Sequence, residues 1–333
     1  MKKTAVAIVT IIAVALIGFL AFDGIIGKET TADFFSMNTY SSVKLKGFES
    51  DKAAEEIKEY TEMLDTEILS RTSENSVVSI LNKNGGGNAK KISAYLSILL
   101  DVCEKSDGAF DFTLGGVSDL WNFGSDPVLP DESTLADALS HSGYEKLSFD
   151  GNNLVYADKS AVIDFGAAGK GIALDEIKNI LSERKIKEAV VSIGGSILLK
   201  GDKEFTVGIR NPEGNSGSYI AKLRIPENCV STSGSYEQQF EADGRKYHHI
   251  LDPETGYPAN NNLLSVTIIS ESGILSDALS TACFVLGYEK GKALAEAYNC
   301  GAVFVTEDKK VYAENGAENY IEITDTSYTL VIQ

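Results

Sequence analysis

Two turn sequences in the middle of the chain constrain its fold more than any other feature. Asp150-Gly151-Asn152-Asn153 separates the apolar runs 147–149 and 154–156, and Asp243-Gly244 follows a further strand-like run. Turns of this composition join antiparallel neighbours. Segments with apolar residues at helical spacing stand among these strands without a strict strand–helix–strand alternation. The sequence therefore predicts an α+β fold in which mixed or antiparallel sheets pack against helices.

The predicted elements fill the chain from residue 33 onward. Helices are predicted over 51–66, 92–104, 171–184, 275–286 and 291–298. Strands or strand-like apolar runs are predicted over 33–45, 147–149, 154–156, 161–165, 189–193, 205–209, 219–225, 236–240, 264–269, 302–305 and 328–332. Because neither a fixed repeat nor a low-complexity linker interrupts this pattern, we expect one compact catalytic domain over 33–333. A short linker over 23–32 is expected to join it to the N-terminal segment.

The N-terminal segment has the composition of a membrane anchor. Lys2 and Lys3 precede an uncharged run from Thr4 to Phe22, whose length is close to the ~20 residues that cross a bilayer. The two lysines favour the cytoplasm, which would leave the rest of the chain outside. Since no small-residue cleavage site follows the run cleanly, we expect residues 1–22 to stay as an anchor, with a cleaved signal peptide as the alternative. The expected location is the cell membrane, with the catalytic domain on its extracytoplasmic side.

The charge balance restricts the partners of the chain. Lys and Arg number 30 against 48 Asp and Glu, which gives a formal net charge of −18. Such a surface repels nucleic acid and anionic lipid headgroups, so no nucleic-acid partner is expected. A small anionic substrate would need a local cation, either a divalent metal ion or a few well-placed Lys and Arg side chains.

The cysteines show no metal-binding spacing and no C-x-x-C pair. They are Cys103, Cys229, Cys283 and Cys300. We expect buried free thiols in apolar segments, and one disulfide outside the cell is the alternative.

A glycine-rich segment, Asp164 to Gly171, stands between an apolar run and a predicted helix. Its small residues allow a ligand to approach the backbone closely. A helix N-terminus favours anions, and Lys170 would add a positive charge there. The segment therefore indicates either an anion site or an ordinary strand-to-helix turn with a solvated lysine.

Two of the three histidines are adjacent, at His248 and His249, and lead into Asp252-Pro253-Glu254-Thr255-Gly256. Histidine is the usual general base near neutral pH. An edge-strand pair beside a turn is the structural alternative. A zinc site is weakly supported, because no spaced third His or Cys accompanies the pair.

Asp277 and Thr281 are four residues apart at the head of a predicted helix, so both project from one face. A carboxylate and a hydroxyl are hard oxygen ligands that suit Mg²⁺. The alternative is that Ser276 or Asp277 only caps the helix and Thr281 only packs.

These segments, taken together and in this order, resemble the ApbE family, the FAD:protein FMN transferases. The resemblance runs from about Phe35 to Gly287 and is most specific in its last three blocks. The matching blocks are Ser36 to Thr39, Gly108 to Thr113, Leu120 to Gly124, Asp164 to Gly171, Gly194-Gly195, Ser231 to Tyr236, His249 to Gly256, and, as the last block, Asp277 to Thr281 together with Phe284 to Gly287. The chain departs from the usual pattern at Asn38, Gly115-Gly116 and Ala168-Gly169.

The resemblance implies a T-fold-related catalytic domain and specific roles for its residues. The Mg²⁺ ligands would be Asp277, Thr281 and the backbone carbonyl of Ala167, with Ser280 as a further candidate. His249, rather than His248, would be the base that takes a proton from the acceptor. The implied FAD contacts are Met37, Ala109, Phe110, Asp111, Asp164, Lys170 and Leu251.

The implied reaction is a Mg²⁺-dependent transfer of the FMN half of FAD onto a Thr or Ser hydroxyl, with release of AMP. FAD is then the substrate, and the partner is an exported or membrane redox protein that carries the acceptor hydroxyl. Two alternatives stand beside it: a Mg²⁺-dependent FAD pyrophosphatase, in which water replaces the hydroxyl, and a non-catalytic exported FAD-binding protein.

Overall fold

The computed structural model describes residues 27–215 and 217–332. The predicted anchor over 1–22 lies outside the described residues. No helix within the described ranges has both the length and the apolar composition that a membrane span requires.

The described chain is built from short strands and helices in mixed order. The strands are β1 (Glu29–Ser36), β2 (Thr39–Lys46), β3 (Gly86–Asn88), β4 (Leu147–Phe149), β5 (Asn153–Tyr156), β6 (Glu188–Ile193), β7 (Ser196–Lys200), β8 (Phe205–Arg210), β9 (Tyr219–Ile225), β10 (Asn228–Gly234), β11 (Gln239–Ala242), β12 (Arg245–His248), β13 (Leu263–Ser270), β14 (Gly301–Thr306), β15 (Lys310–Glu314), β16 (Ile321–Ile323) and β17 (Thr329–Val331). The α-helices are α1 (Ser50–Met63), α2 (Val77–Asn84), α3 (Ser93–Lys105), α4 (Gly115–Trp121), α5 (Glu132–His141), α6 (Gly169–Glu183) and α7 (Gly273–Ala297). A π-helical turn, Leu64–Leu69, follows α1 directly.

The α+β prediction is confirmed, and so are both predicted hairpins. Strands β4 and β5 pair antiparallel, as do β11 and β12. The predicted strand over 33–45 is wrong, because the chain turns at Met37 and Asn38, whose φ angles are 50° and 56°. Left-handed angles at both positions make a tight two-residue turn between β1 and β2. Since β1 begins at Glu29, residues 29–32 of the predicted linker belong to the sheet.

Two further predictions need correction, and one is confirmed. The apolar run 161–165 contributes only an isolated bridge, between Val162 and Leu114. The predicted strand over 236–240 falls mostly in the turn between β10 and β11. The two helices predicted after residue 275 are confirmed as the two helical segments of α7, which are separated by a kink at the non-helical Gly287, where φ is 76° and ψ is 180°.

A nine-stranded sheet organises the domain, in the order β1-β2-β6-β7-β10-β13-β14-β15-β17. Its neighbours are antiparallel except for the parallel pair β15 and β17. The larger apolar core joins this sheet to helices that include α1, α3, α6 and α7. A second core joins it to the three-stranded sheet β16-β9-β8, and a third surrounds the fully buried Trp121.

Helices α6 and α7 cross with almost no side chain between them. A Cβ atom added at Gly171 would lie 2.2 Å from the carbonyl oxygen of Gly273, and one added at Gly273 would lie 2.4 Å from that of Gly171. The first helical turns can therefore meet only because both positions lack a side chain.

Each of the two helices also caps the other. Asp175 of α6 accepts hydrogen bonds from the N–H groups of Gly273 and Ile274, at 2.7 and 3.0 Å. Asp277 of α7 accepts one from the N–H of Gly171, at 2.9 Å. Carboxylates at helix N-termini satisfy unpaired donors and complement the helix dipole.

We expect Gly171→Ala to destabilise the domain by about 1–3 kcal/mol, because the new methyl group would force the two helices apart. The matched control is Gly116→Ala in α4, where the nearest atom to an added Cβ is 3.9 Å away. That change should be neutral or stabilising by up to about 1 kcal/mol, since alanine favours a helix over glycine. Denaturant unfolding of both variants measures the difference, and equal stability of the two would contradict the packing argument.

Candidate functional site

The glycine-rich segment leads directly into the N-terminus of α6. The N–H of Gly171, which in a regular α-helix would bond to the carbonyl of Ala167, donates instead to Asp277 Oδ2. The Ala167 carbonyl is therefore spared its usual helical donor. Asp164 fixes the start of the segment, because its Oδ1 accepts from the N–H of Gly166 at 2.8 Å.

Asp277 is the carboxylate at the centre of this arrangement. Its side chain is only 6% exposed. Oδ1 accepts a hydrogen bond from Ser196 Oγ at 3.1 Å, and Lys170 Nζ lies 3.8 Å from the same oxygen. This buried carboxylate accepts from neutral donors, and its nearby cation lies beyond hydrogen-bond distance. Its negative charge can therefore attract a further cation.

Hydroxyl groups lie one helical turn along α7 from Asp277. Thr281 Oγ1 is 3.1 Å from Ser233 Oγ. Ser280 Oγ donates to the carbonyl of Asp277 at 2.8 Å and is 2.8 Å from Ser233 Oγ. The Ser280 hydroxyl therefore donates to the helix backbone, whereas the hydrogen-bond partner of the Thr281 hydroxyl within the described residues is another hydroxyl, that of Ser233.

These oxygens fit the Mg²⁺ that the family resemblance implies. They comprise one carboxylate, one hydroxyl and one carbonyl freed from helical bonding, all of which are hard donors. Within the described ranges, no group of three or more His, Cys, Asp and Glu side chains could hold a metal ion. A metal site here would thus combine a single carboxylate with neutral oxygens and water or substrate.

The two adjacent histidines have different environments. Both ring nitrogens of His248 have partners: Nε2 lies 3.2 Å from the carbonyl of Ala259, and Nδ1 accepts from the N–H of Ile250 at 3.3 Å. His249 Nδ1 is buried and has no hydrogen-bond partner among the described residues. A buried polar atom without a partner is costly and points to a missing ligand or proton donor. Of the pair, His249 is therefore the one with a ring nitrogen that lacks a partner among the described residues.

Burial, together with the charges of Lys170 and His248, lowers the pKa of His249 to about 4. Its ring is therefore neutral at physiological pH and can accept a proton. The contribution of Lys170 also shows that the histidine shares the electrostatic environment of the α6 N-terminus.

The residues implied as FAD contacts fall into two groups. Met37, Asp164 and Lys170 lie at the glycine-rich segment. The methyl group of Met37 is 3.2 Å from the position that a Cβ of Gly169 would take. The backbone N–H of Met37 donates to the Asp65 carboxylate at 2.9 Å. These contacts hold a residue whose left-handed backbone is otherwise unfavourable.

The remaining implied contacts line a cavity or are buried, and the carbonyl of Phe112, which follows Asp111, accepts from the Asp164 N–H at 2.7 Å. Ala109 and Asp111 line an open cavity of about 890 Å³, together with Asp252 and Leu286. Asp111 also accepts from the N–H groups of Thr113 and Tyr144, at 2.8 and 2.9 Å. Phe110 and Leu251 are buried, at 2% and 7% exposure.

The structure adds residues that the sequence analysis missed. Glu237, in the turn after β10, places Oε1 3.3 Å from the position of an added Gly195 Cβ. Burial raises the pKa of the Glu237 carboxyl. The positive charges of Lys170 and Arg210 oppose this rise, and the negative charge of Asp277 adds to it. Glu237 therefore belongs to the same charged cluster. No spacing in the sequence connects it to Asp277, since the three strands β11, β12 and β13 lie between them in the chain.

Arg71 is a second residue that sequence reasoning missed. Its Nε lies 2.9 Å from Asp164 Oδ2, and its Nη1 contacts the carboxylate of Asp119. A lone arginine within a polar stretch carries no sequence pattern that would assign it to the glycine-rich segment.

Comparison with known proteins identifies the family. The model of the ApbE family matches residues 37–304. A relative from Treponema pallidum (strain Nichols), named FAD:protein FMN transferase, is 34% identical over 79% of this chain and 80% of its own length. Another of that name from Klebsiella pneumoniae (strain 342) is 31% identical over 68% of this chain and 72% of its own.

Solved structures agree in fold. The ApbE protein of Thermotoga maritima superposes with a TM-score of 0.80 at 29% identity, over 88% of this chain and 99% of that one. The apo form of the flavinyl transferase ApbE of Pseudomonas stutzeri gives a TM-score of 0.73 at 30% identity, over 84% and 91%. Because the family model matches most of this chain, residues 37–304, the chain belongs to the ApbE family.

Proposed function

We propose that this chain is an FAD:protein FMN transferase that depends on Mg²⁺ and moves the FMN half of FAD onto a Thr or Ser hydroxyl of an acceptor redox protein. The relatives that carry the transferase name support the enzyme class. The observation that carries the proposal is the position of Asp277, which lies against the α6 N-terminus and 3.8 Å from Lys170. Such a site suits a diphosphate together with a divalent cation.

Different residues of the chain would bind the diphosphate of FAD and the metal ion. The N-terminus of α6 and Lys170 would bind the diphosphate of FAD. Asp277, Thr281 and the Ala167 carbonyl would hold Mg²⁺. Bound there, the ion would neutralise the diphosphate and stabilise the charge that develops on the departing AMP. These local positive charges offset the net charge of −18, which would otherwise repel the substrate.

His249 supplies the proton acceptor for the transfer. The acceptor hydroxyl oxygen attacks the phosphorus of the FMN half, and the bond from that phosphorus to the bridging oxygen of AMP breaks. The hydroxyl proton passes to the neutral ring of His249, and AMP leaves with the electron pair of the broken bond. The products are FMN linked to the acceptor through a phosphoester and free AMP.

The proposed location is the cell membrane, with the domain on the extracytoplasmic side. Its support is the basic start and the uncharged run of residues 1–22.

The reaction itself is tested by incubating the protein with FAD, Mg²⁺ and a redox-protein acceptor, followed by mass spectrometry. We expect an acceptor adduct heavier by one FMN and an equal amount of AMP. Release of FMN and AMP without an adduct would instead establish the pyrophosphatase alternative, and binding without AMP release would establish the non-catalytic one.

Asp277→Asn should lower the transfer rate by at least about 10²-fold, because it removes the one carboxylate of the metal site. The matched control is Asp175→Asn, which alters the reciprocal helix cap without touching the proposed metal ligands. Both variants should lose stability, but only Asp277→Asn should lose transfer at saturating Mg²⁺. Equal transfer by the two variants would show that Asp277 acts only as a helix cap.

The rate of transfer should fall at an acidic limb near pH 4 rather than near pH 6.5, since the base works only in its neutral form and burial lowers the pKa of His249 to about 4. The same shift predicts that the free energy of unfolding decreases as pH falls from about 6.5 to about 4, because the unfolded chain takes up the proton first. Single-turnover rates measured across this pH range test the prediction.

His249→Gln should lower the transfer rate by about 10²–10⁴-fold while keeping the affinity for FAD, and an unchanged rate would exclude His249 as the base.

A further inference from the structure

Arg71 makes two ion pairs at the edge of the glycine-rich segment. It follows the π-helical turn Leu64–Leu69, and its side chain is only 19% exposed. Nε lies 2.9 Å from Asp164 Oδ2, and Nη1 contacts the carboxylate of Asp119 on α4. The guanidinium thus joins three separate parts of the chain at one point.

The contact with Asp164 extends into the backbone of the segment. The second oxygen of Asp164 accepts from the N–H of Gly166 at 2.8 Å, and the Asp164 N–H donates to the carbonyl of Phe112 at 2.7 Å. Gly166 directly precedes Ala167. A displacement of the Asp164 carboxylate would therefore move the chain that presents the Ala167 carbonyl and begins α6.

The charge of Asp164 is unfavourable in a segment that binds an anion. A carboxylate with 27% exposure is poorly screened, so it would repel the diphosphate of FAD. Asp119 is 57% exposed, and solvent screens its charge far better. The effect of the Arg71 guanidinium on substrate binding is thus exerted mainly through Asp164.

We propose that Arg71 is a positioning residue for FAD, which cancels the charge of Asp164 and fixes the segment from Gly166 to the start of α6, with Asp119 orienting its guanidinium. The inference rests on the proposed function, because it takes FAD as the ligand of this segment. It adds Arg71, which follows the π-helical turn, to the FAD contacts that the resemblance implies.

The test measures FAD affinity in the full-length protein by fluorescence titration with Mg²⁺ present. Arg71→Gln should raise the Kd for FAD by about 10- to 100-fold, because it leaves the Asp164 carboxylate unpaired. The turnover at saturating FAD should change far less than the Kd. Arg71→Lys, which keeps the charge, should recover most of the affinity and guards against a folding failure of the first variant.

The matched control is Arg184→Gln. Arg184 closes α6 at its other end and also joins two carboxylates, with Nε 2.7 Å from Glu56 and Nη1 3.7 Å from Glu49. Its loss should lower the temperature of unfolding without changing the Kd for FAD. A merely structural role for Arg71 would make the two variants alike, and that result would overturn the proposal.

A double variant separates charge cancellation from simple contact. If Arg71 acts through Asp164, then Arg71→Gln combined with Asp164→Asn should bind FAD at least several-fold more tightly than Arg71→Gln alone. Equal or weaker binding by the double variant would refute the coupling. Failure of the wild-type protein to bind FAD would overturn the proposed function and this inference together, whereas wild-type affinity in Arg71→Gln would overturn this inference alone.

Discussion

The candidate site depends on the crossing of α6 and α7. Gly171 and Gly273 bring the two backbones together, and Asp175 and Asp277 each cap the helix to which they do not belong. Helix N-termini carry unpaired N–H groups that must find acceptors. Reciprocal capping satisfies these donors and fixes the relative position of two segments that lie about a hundred residues apart in the chain. It also places a carboxylate against the N-terminus of α6, where an anionic substrate is expected.

The same interaction determines which oxygens are available to a cation. Because the Gly171 N–H donates to Asp277, the carbonyl of Ala167 does not receive its usual helical bond. Ser196 occupies Oδ1 of Asp277 with a neutral donor, and Ser233 lies beside the Thr281 hydroxyl. The same carboxylate therefore caps α6 and would hold the proposed cation. Substitution of Asp277 alone would change both the helix cap and the proposed cation site. Substitution of Asp175 changes a helix cap without changing that site, so it serves as the control.

Local patterns predicted much of the fold and little of the three-dimensional proximity within the site. The hairpins around 150 and 243 and helices α1, α3 and α6 follow from turn residues and periodic apolar positions. The two-residue turn at Met37 and Asn38 escaped prediction, because alternation continues across it and methionine rarely takes a left-handed conformation. Short helices α2, α4 and α5 carry too few periodic positions to be recognised. Arg71 and Glu237 reach the site only through tertiary packing, which no spacing in the sequence encodes.

The electrostatics of the candidate site would allow a strongly acidic chain to bind the proposed anionic substrate. Asp164, Glu237 and Asp277 all lie around the N-terminus of α6, and alone they would exclude a diphosphate. Arg71 pairs with Asp164 at 2.9 Å, and Lys170 lies near both Asp277 and Glu237. The positive end of α6 adds a fixed partial charge. This balance leaves Asp277 with Lys170 as a cation 3.8 Å away, so that the proposed metal ion and substrate would complete the charge pairing. The His249 ring is neutral because its pKa is lowered to about 4, so it adds no further charge to this cluster and could accept a proton in the proposed reaction.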